Sequence, residues 1–131
     1  MNYLLDTHIW LWSLLQLERL SSTVARELQN PDNQLWLSPI SSWEILVLAQ
    51  RGRILLDKEP GLWVSQALKA GPLKEAALTH RVAIESRKIQ LPHKDPADRF
   101  IAATAVVYGL TLVTADRRLL EAPGLSVLPN R

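Results

Sequence analysis

The sequence contains no cysteine, which removes disulfides, thiolate metal sites and cysteine nucleophiles together and fits a reducing cytoplasm. No stretch approaches the ~18 apolar residues of a membrane span. The start is uncharged, and Asp6 and His8 interrupt the first apolar run, so no secretory leader is read there. Neither G-x-x-x-x-G-K-[ST] nor G-x-G-x-x-G occurs, which excludes phosphate cradling through those loops. No G-x-S-x-G elbow presents a serine nucleophile. The only histidines are His8, His80 and His93, which argues against a zinc site, and no histidine pair offers metal-free acid–base cleavage. The expectation is a soluble, cytoplasmic protein.

What is present describes an ordinary globular chain of 131 residues, 47% apolar and 21% charged, with no low-complexity tract. That length suits one domain over residues 1–131 with a substantial core. The formal charge is only +2. If four acids converge on one site, nine remain elsewhere against fifteen Lys and Arg, an excess of six that would attract a polyanion.

Along the chain, short apolar runs alternate with helical patterns. Tyr3-Leu4-Leu5 reads as a strand ended by Asp6, followed by a helix over residues 9–17. Ser21 or Ser22 caps a second helix to about Leu28, and the turn Asn30-Pro31-Asp32-Asn33 leads into a strand at Leu35-Trp36-Leu37. The spacing Ser41 to Glu44 predicts a capping box opening a helix that stops at Gly52. Another helix follows Pro60, an extended piece spans Pro72 to Ala76, and periodicity predicts a helix over residues 78–89. Asp95-Pro96 opens an alanine-rich helix closed by Gly109. Thr111-Leu112-Val113 is a strand, Asp116 begins a short helix, and Leu125 to Leu128 is the last strand. The alternation predicts an α/β fold with a parallel sheet covered on both faces.

Four acids stand in comparable positions. Asp6 and Asp116 follow strands and could be helix N-caps. Glu44 sits at the capping-box spacing, and Asp98 lies in a first turn where the helix dipole favours an acid. Taken together, all four fall where helices begin outside the carboxyl ends of parallel strands, the crevice where such sheets bind ligands. Converging carboxylates repel one another until a divalent cation neutralises them, and oxygen-only ligands suit Mg²⁺ or Mn²⁺. Asp95, one turn before Asp98, reads as the cap of its helix with a possible supporting role at the site.

At these residues the chain resembles the PIN-domain nucleases, and among them the VapC-type toxins of bacterial toxin–antitoxin pairs. The resemblance rests on Leu4-Leu5-Asp6-Thr7-His8, Ser41-Ser42-Trp43-Glu44-Ile45, the run from Leu91 to Arg99, Ile101-Ala102-Ala103-Thr104-Ala105, and Leu112-Val113-Thr114-Ala115-Asp116. It implies a three-layer α/β/α fold with a central, mainly parallel sheet. It also implies metal ligands at Asp6, Glu44, Asp98 and Asp116 with support from Thr114, an RNA substrate such as a tRNA or ribosomal RNA, a homodimer, and a VapB-like antitoxin. The activity so implied is a metal-dependent endoribonuclease. Arg99, Arg117 and Lys94 are candidate RNA contacts, with Arg51, Arg53, Arg87, Lys88 and Arg118 as further basic candidates. The competing reading is a non-catalytic α/β module that binds RNA or protein, its carboxylates acting only as caps. A phosphatase or receiver domain would need a second acid beside Asp6-Thr7-His8 and a lysine between Thr111 and Asp116, and both are missing.

Overall fold

The structure, a computed structural model, describes residues 1–92 and 95–131. Five strands form an all-parallel sheet: β1 (Asn2–Leu5), β2 (Gln34–Leu37), β3 (Leu73–Glu75), β4 (Thr111–Thr114) and β5 (Val127–Pro129), in the order β3-β2-β1-β4-β5. The chain therefore builds outward from β1 to one edge and returns across it to build the other. The reversal lies between β1 and β4, so the carboxyl ends of those two strands flank the switch point of the fold. The register extends past β1, because Asp6 N–H donates to the Val113 carbonyl at 3.0 Å.

Side chains alternate across the sheet and split the apolar interior in two. Tyr3, Leu5, Leu37 and Val113 face one layer, made by α1 (Thr7–Leu15), α2 (Ser22–Gln29), α3 (Pro39–Gln50) and α4 (Pro60–Lys69). Leu4 and Leu112 face the other, packed by α6 (Pro96–Tyr108) and by Leu119 of α7 (Arg117–Leu120). Burial on both faces explains why β1 and β4 read as unbroken apolar runs rather than alternating ones. On α6 the run Ile101 to Ala105 is fully buried. Its small side chains let the helix sit close to the sheet while α5 (His80–Ser86) packs beside it. Among the described residues, no helix is long and apolar enough to cross a membrane.

The bounds of three helices differ from the sequence expectation, and the last strand begins at Val127 rather than Leu125. The first helix begins at Thr7, capped by Asp6, and ends at Leu15, with a 3-10 turn over Leu17–Arg19. Helix α3 begins at Pro39 rather than at Ser41. Ser38 is its cap, accepting from Ile40 N–H at 3.1 Å, and the ring of Pro39 fits the first helical position. Helix α5 is shorter than residues 78–89, because the Thr79 hydroxyl caps it by accepting from Val82 N–H at 3.2 Å. Gly109 closes α6 as expected, with a φ of 66° that favours glycine.

Candidate active site

Asp6 leaves β1 at the sheet's switch point and is nearly buried, 7% exposed. Each of its carboxylate oxygens is held: Oδ1 accepts from Thr7 N–H at 2.9 Å and Oδ2 from the Thr114 hydroxyl at 2.6 Å. The Thr114 oxygen accepts in turn from Asp116 N–H at 3.0 Å. One fully buried hydroxyl thus joins the acid after β1 to the acid after β4.

Glu44 comes from the second turn of α3, at a position set by the Ser38-Pro39 start. Its Oε1 accepts a hydrogen bond from the Thr7 hydroxyl, which also lies 2.9 Å from the Ser41 hydroxyl. Ser41 is fully buried inside the helix and is not its cap. The Ser41–Glu44 spacing therefore marks two residues on one helix face, and the expected capping box does not form. Asp98 lies in the first turn of α6, whose cap is Asp95, accepting from Ala97 N–H at 3.0 Å. Asp116 caps α7, accepting from Arg118 N–H at 2.9 Å.

These elements bring Asp6, Glu44, Asp95, Asp98 and Asp116 to the wall of one crevice of about 350 Å³. Burial and mutual repulsion oppose ionisation there. Asp98 is pushed up to about 8, chiefly by burial and then by the charges of Asp6, Asp95, Asp116 and Glu44. Glu44 is pushed up to about 7, by burial first and then by Asp6 and Asp95, against the lowering effect of its Thr7 hydrogen bond. Asp6 is also raised, with burial outweighing its bonds to Thr114 and Thr7.

The donor set is oxygen-only and fits a hard divalent cation such as Mg²⁺ or Mn²⁺. A bound cation would relieve the same repulsion that lifts these carboxyls. Among the described residues, however, no three acidic or histidine side chains are drawn into a ready-made metal cage. The carboxylates share a crevice without closing it.

The basic candidates separate clearly. Arg118 lines the crevice, with its guanidinium 3.2 Å from Asp116 Oδ2 and 4.0 Å from Asp98 Oδ2. Arg117, its neighbour, is exposed and is not part of the crevice wall. Arg99 has a structural engagement instead: Nε donates to the Ser86 carbonyl at 2.9 Å and Nη2 to the Ile89 carbonyl at 2.7 Å. It thereby ties α6 to the end of α5. Lys94 and His93 lie outside the described residues. His8 is exposed at the crevice and packs against Trp12, which also forms part of the wall.

Sequence reasoning missed the roles of Thr7, whose hydroxyl bonds Glu44, and of Ser41, whose hydroxyl meets that of Thr7. The signals were a hydroxyl directly after Asp6 and one three residues before Glu44.

Residues 3–125 match the sequence model of the PIN domain. Ribonuclease VapC22 of Mycobacterium tuberculosis is 36% identical over 119 residues, covering 88% of each chain. Among solved structures, VapBC2 from Rickettsia felis, bound to a DNA fragment from its promoter, superposes with a TM-score of 0.72 at 18% identity, covering 98% of both chains. DNA-bound VapBC from Salmonella typhimurium gives 0.71 at 18% identity, over 100% of this chain and 99% of that one. FitAcB from Neisseria gonorrhoeae gives 0.65 at 21% identity, over 98% and 97%. These likenesses in three dimensions share one fold, and the sequence match over nearly the whole length places the chain with it: this protein belongs to the PIN-domain family.

Proposed function

We propose that this chain is a metal-dependent endoribonuclease acting in the cytoplasm as the toxin of a VapBC-type pair. One observation carries the reading: Asp6, Glu44, Asp98 and Asp116 line a single crevice at the switch point of the sheet, in a chain 36% identical to a named ribonuclease.

Asp6, Glu44, Asp98 and Asp116 would hold the cation, Mg²⁺ or Mn²⁺. When bound, it supplies Lewis-acid charge neutralisation at phosphorus and acidifies the attacking water. Asp6 is firmly placed, because it is nearly buried and both of its oxygens are hydrogen-bonded. Thr114 orients Asp6, and Thr7 orients Glu44. Arg118 offers a planar guanidinium to a phosphate at the mouth of the crevice. The basic excess elsewhere draws the polyanion in.

The antitoxin partner has a candidate seat away from the crevice. A groove of about 360 Å³ runs between α1, α2 and the end of α4, walled by Leu14, Leu17, Leu28, Ala67 and Ala70. It suits the apolar face of an amphipathic helix. A homodimer belongs to the same reading, with exposed Trp43 on α3 and Ile84 on α5 as candidate contacts.

The test is incubation of total cellular RNA with purified protein and Mg²⁺ or Mn²⁺, beside an EDTA control and the Asp6→Asn variant. Discrete cleavage lost in both controls supports the proposal. RNA binding without metal-dependent cutting supports the non-catalytic module. That second reading draws on the capping bonds of Asp6, Asp95 and Asp116, each of which satisfies a helix N-terminus without any metal.

A further inference from the structure

Helix α1 carries two tryptophans that leave it in different directions. Trp10 enters the core, 2% exposed, with its ring 6.3 Å from that of Trp63. Trp12 is only partly buried and forms part of the wall of the acidic crevice. Its environment is divided. One part packs against the apolar layer under α1, which fixes the ring. The remainder meets two exposed polar side chains: the His8 ring at 5.7 Å, tilted by 51°, and the Arg19 guanidinium, 4.4 Å from the indole centroid.

His8 and Trp12 are four residues apart and share a helix face. Asp6 caps the same helix, and Trp12 lies roughly 9 Å further along the axis at 1.5 Å per residue. An aromatic plane anchored on the core side, flanked by exposed side chains and placed about one nucleotide from a carboxylate cluster, has the arrangement of a base-stacking platform. A guanidinium resting on an exposed indole is held more weakly than a stacked base, so a base can displace Arg19 from the ring and leave its charge free for the adjoining phosphate.

We propose that Trp12, with His8 and Arg19 beside it, forms a subsite that stacks an unpaired base of the nucleotide flanking the scissile phosphate. A base held in a helix presents no free face to the indole, so this contact acts on unpaired nucleotides alone. This rests on the ribonuclease reading and adds to it the side chains that grip the base beside the cut.

The experiment measures binding of a 12-nucleotide oligouridylate, and of an RNA duplex of equal length, in EDTA so that cleavage does not intervene. Wild type, Trp12→Leu and Trp12→Phe are compared. Leucine keeps an apolar side chain against the core but has no π face, and phenylalanine restores one. The expected result is a loss of about 5- to 100-fold in oligouridylate affinity for Trp12→Leu, substantial recovery in Trp12→Phe, and unchanged duplex binding. Binding also quenches tryptophan fluorescence, and that quench is lost in both variants. Equal oligouridylate affinity in wild type and a folded Trp12→Leu protein overturns the subsite but leaves the ribonuclease proposal standing. Equal losses on oligouridylate and duplex overturn it as well, since stacking acts on the former alone. Failure of the wild type to bind or cut any RNA overturns the ribonuclease reading itself.

Discussion

The Thr114 hydroxyl donates to Asp6 Oδ2 at 2.6 Å, joining residues 108 positions apart. The same oxygen accepts from Asp116 N–H, so one side chain sets the spacing of two acids from different strands. Thr114→Val keeps the shape and removes the hydroxyl. Asp6 then loses a bond that favours its charged form, and Asp116 N–H loses its acceptor. Mn²⁺ affinity by calorimetry should fall about 10- to 100-fold, and stability should fall by about 1–3 kcal/mol. Unchanged Mn²⁺ affinity in a folded variant would show that Asp6 does not need this support.

Glu44 and Asp98 are raised to about 7 and about 8, so metal binding must displace protons near neutrality. Mn²⁺ affinity should climb as the pH rises from about 6 to 8, with proton release visible in buffers of different ionisation enthalpy. Without metal, the folded protein holds these protons over a pH range where the unfolded chain has already lost them, from ordinary carboxylate values up to about 8. Stability must then fall as the pH rises through that window. The melting temperature of the metal-free protein should be lower at pH 8 than at pH 5.5, and excess Mg²⁺ should reduce the difference.

Asp98→Asn tests the same repulsion in the opposite sense. It removes a charge from the crowded crevice, so the metal-free variant should melt higher than wild type at pH 8, while cleavage falls by at least tenfold. Full cleavage by a folded Asp98→Asn protein would remove Asp98 from the metal site.

Two arginines should behave as opposites. Arg118 lines the crevice beside Asp116 and Asp98. Arg118→Ala should raise Mn²⁺ affinity several-fold, because a competing cation is gone, and should reduce the salt dependence of RNA binding by about one ion. Arg99→Ala should lower the melting temperature, through the lost bonds to the Ser86 and Ile89 carbonyls, and leave that salt slope unchanged.

The apolar groove invites a separate test. Ala67 lines it and is not part of the wall of the carboxylate crevice. Ala67→Glu places a charge where an apolar helix would lie. RNA cleavage should persist while capture of the co-expressed antitoxin is lost.

Much of this molecule was legible because its local rules agree with one another. The apolar runs of β1 and β4 end in acids, parallel sheets bind ligands at such ends, and Asp6, Glu44, Asp98 and Asp116 do line one crevice. Ser41 and Glu44 satisfy a capping spacing, but Ser38-Pro39 carries the stronger signal for the start of α3, the same cap-then-proline pair that opens α6 at Asp95-Pro96. Arg99, Arg117 and Arg118 could not be sorted from sequence. Whether a guanidinium meets a carbonyl of another helix, solvent or a carboxylate depends on packing that no local pattern encodes. Trp10 and Trp12 pose the same problem, since two residues of separation on a helix turn one ring inward and the other toward the crevice.

The strand order has a consequence for the timing of synthesis. β1 leaves the ribosome long before its neighbour β4, which is Thr111–Thr114. Until that late segment emerges, Asp6 lacks the Thr114 hydroxyl, and Asp116 has not been placed. A nascent chain therefore carries an incomplete crevice until β4 and Asp116 have emerged, so the acid made early waits on a hydroxyl 108 positions later.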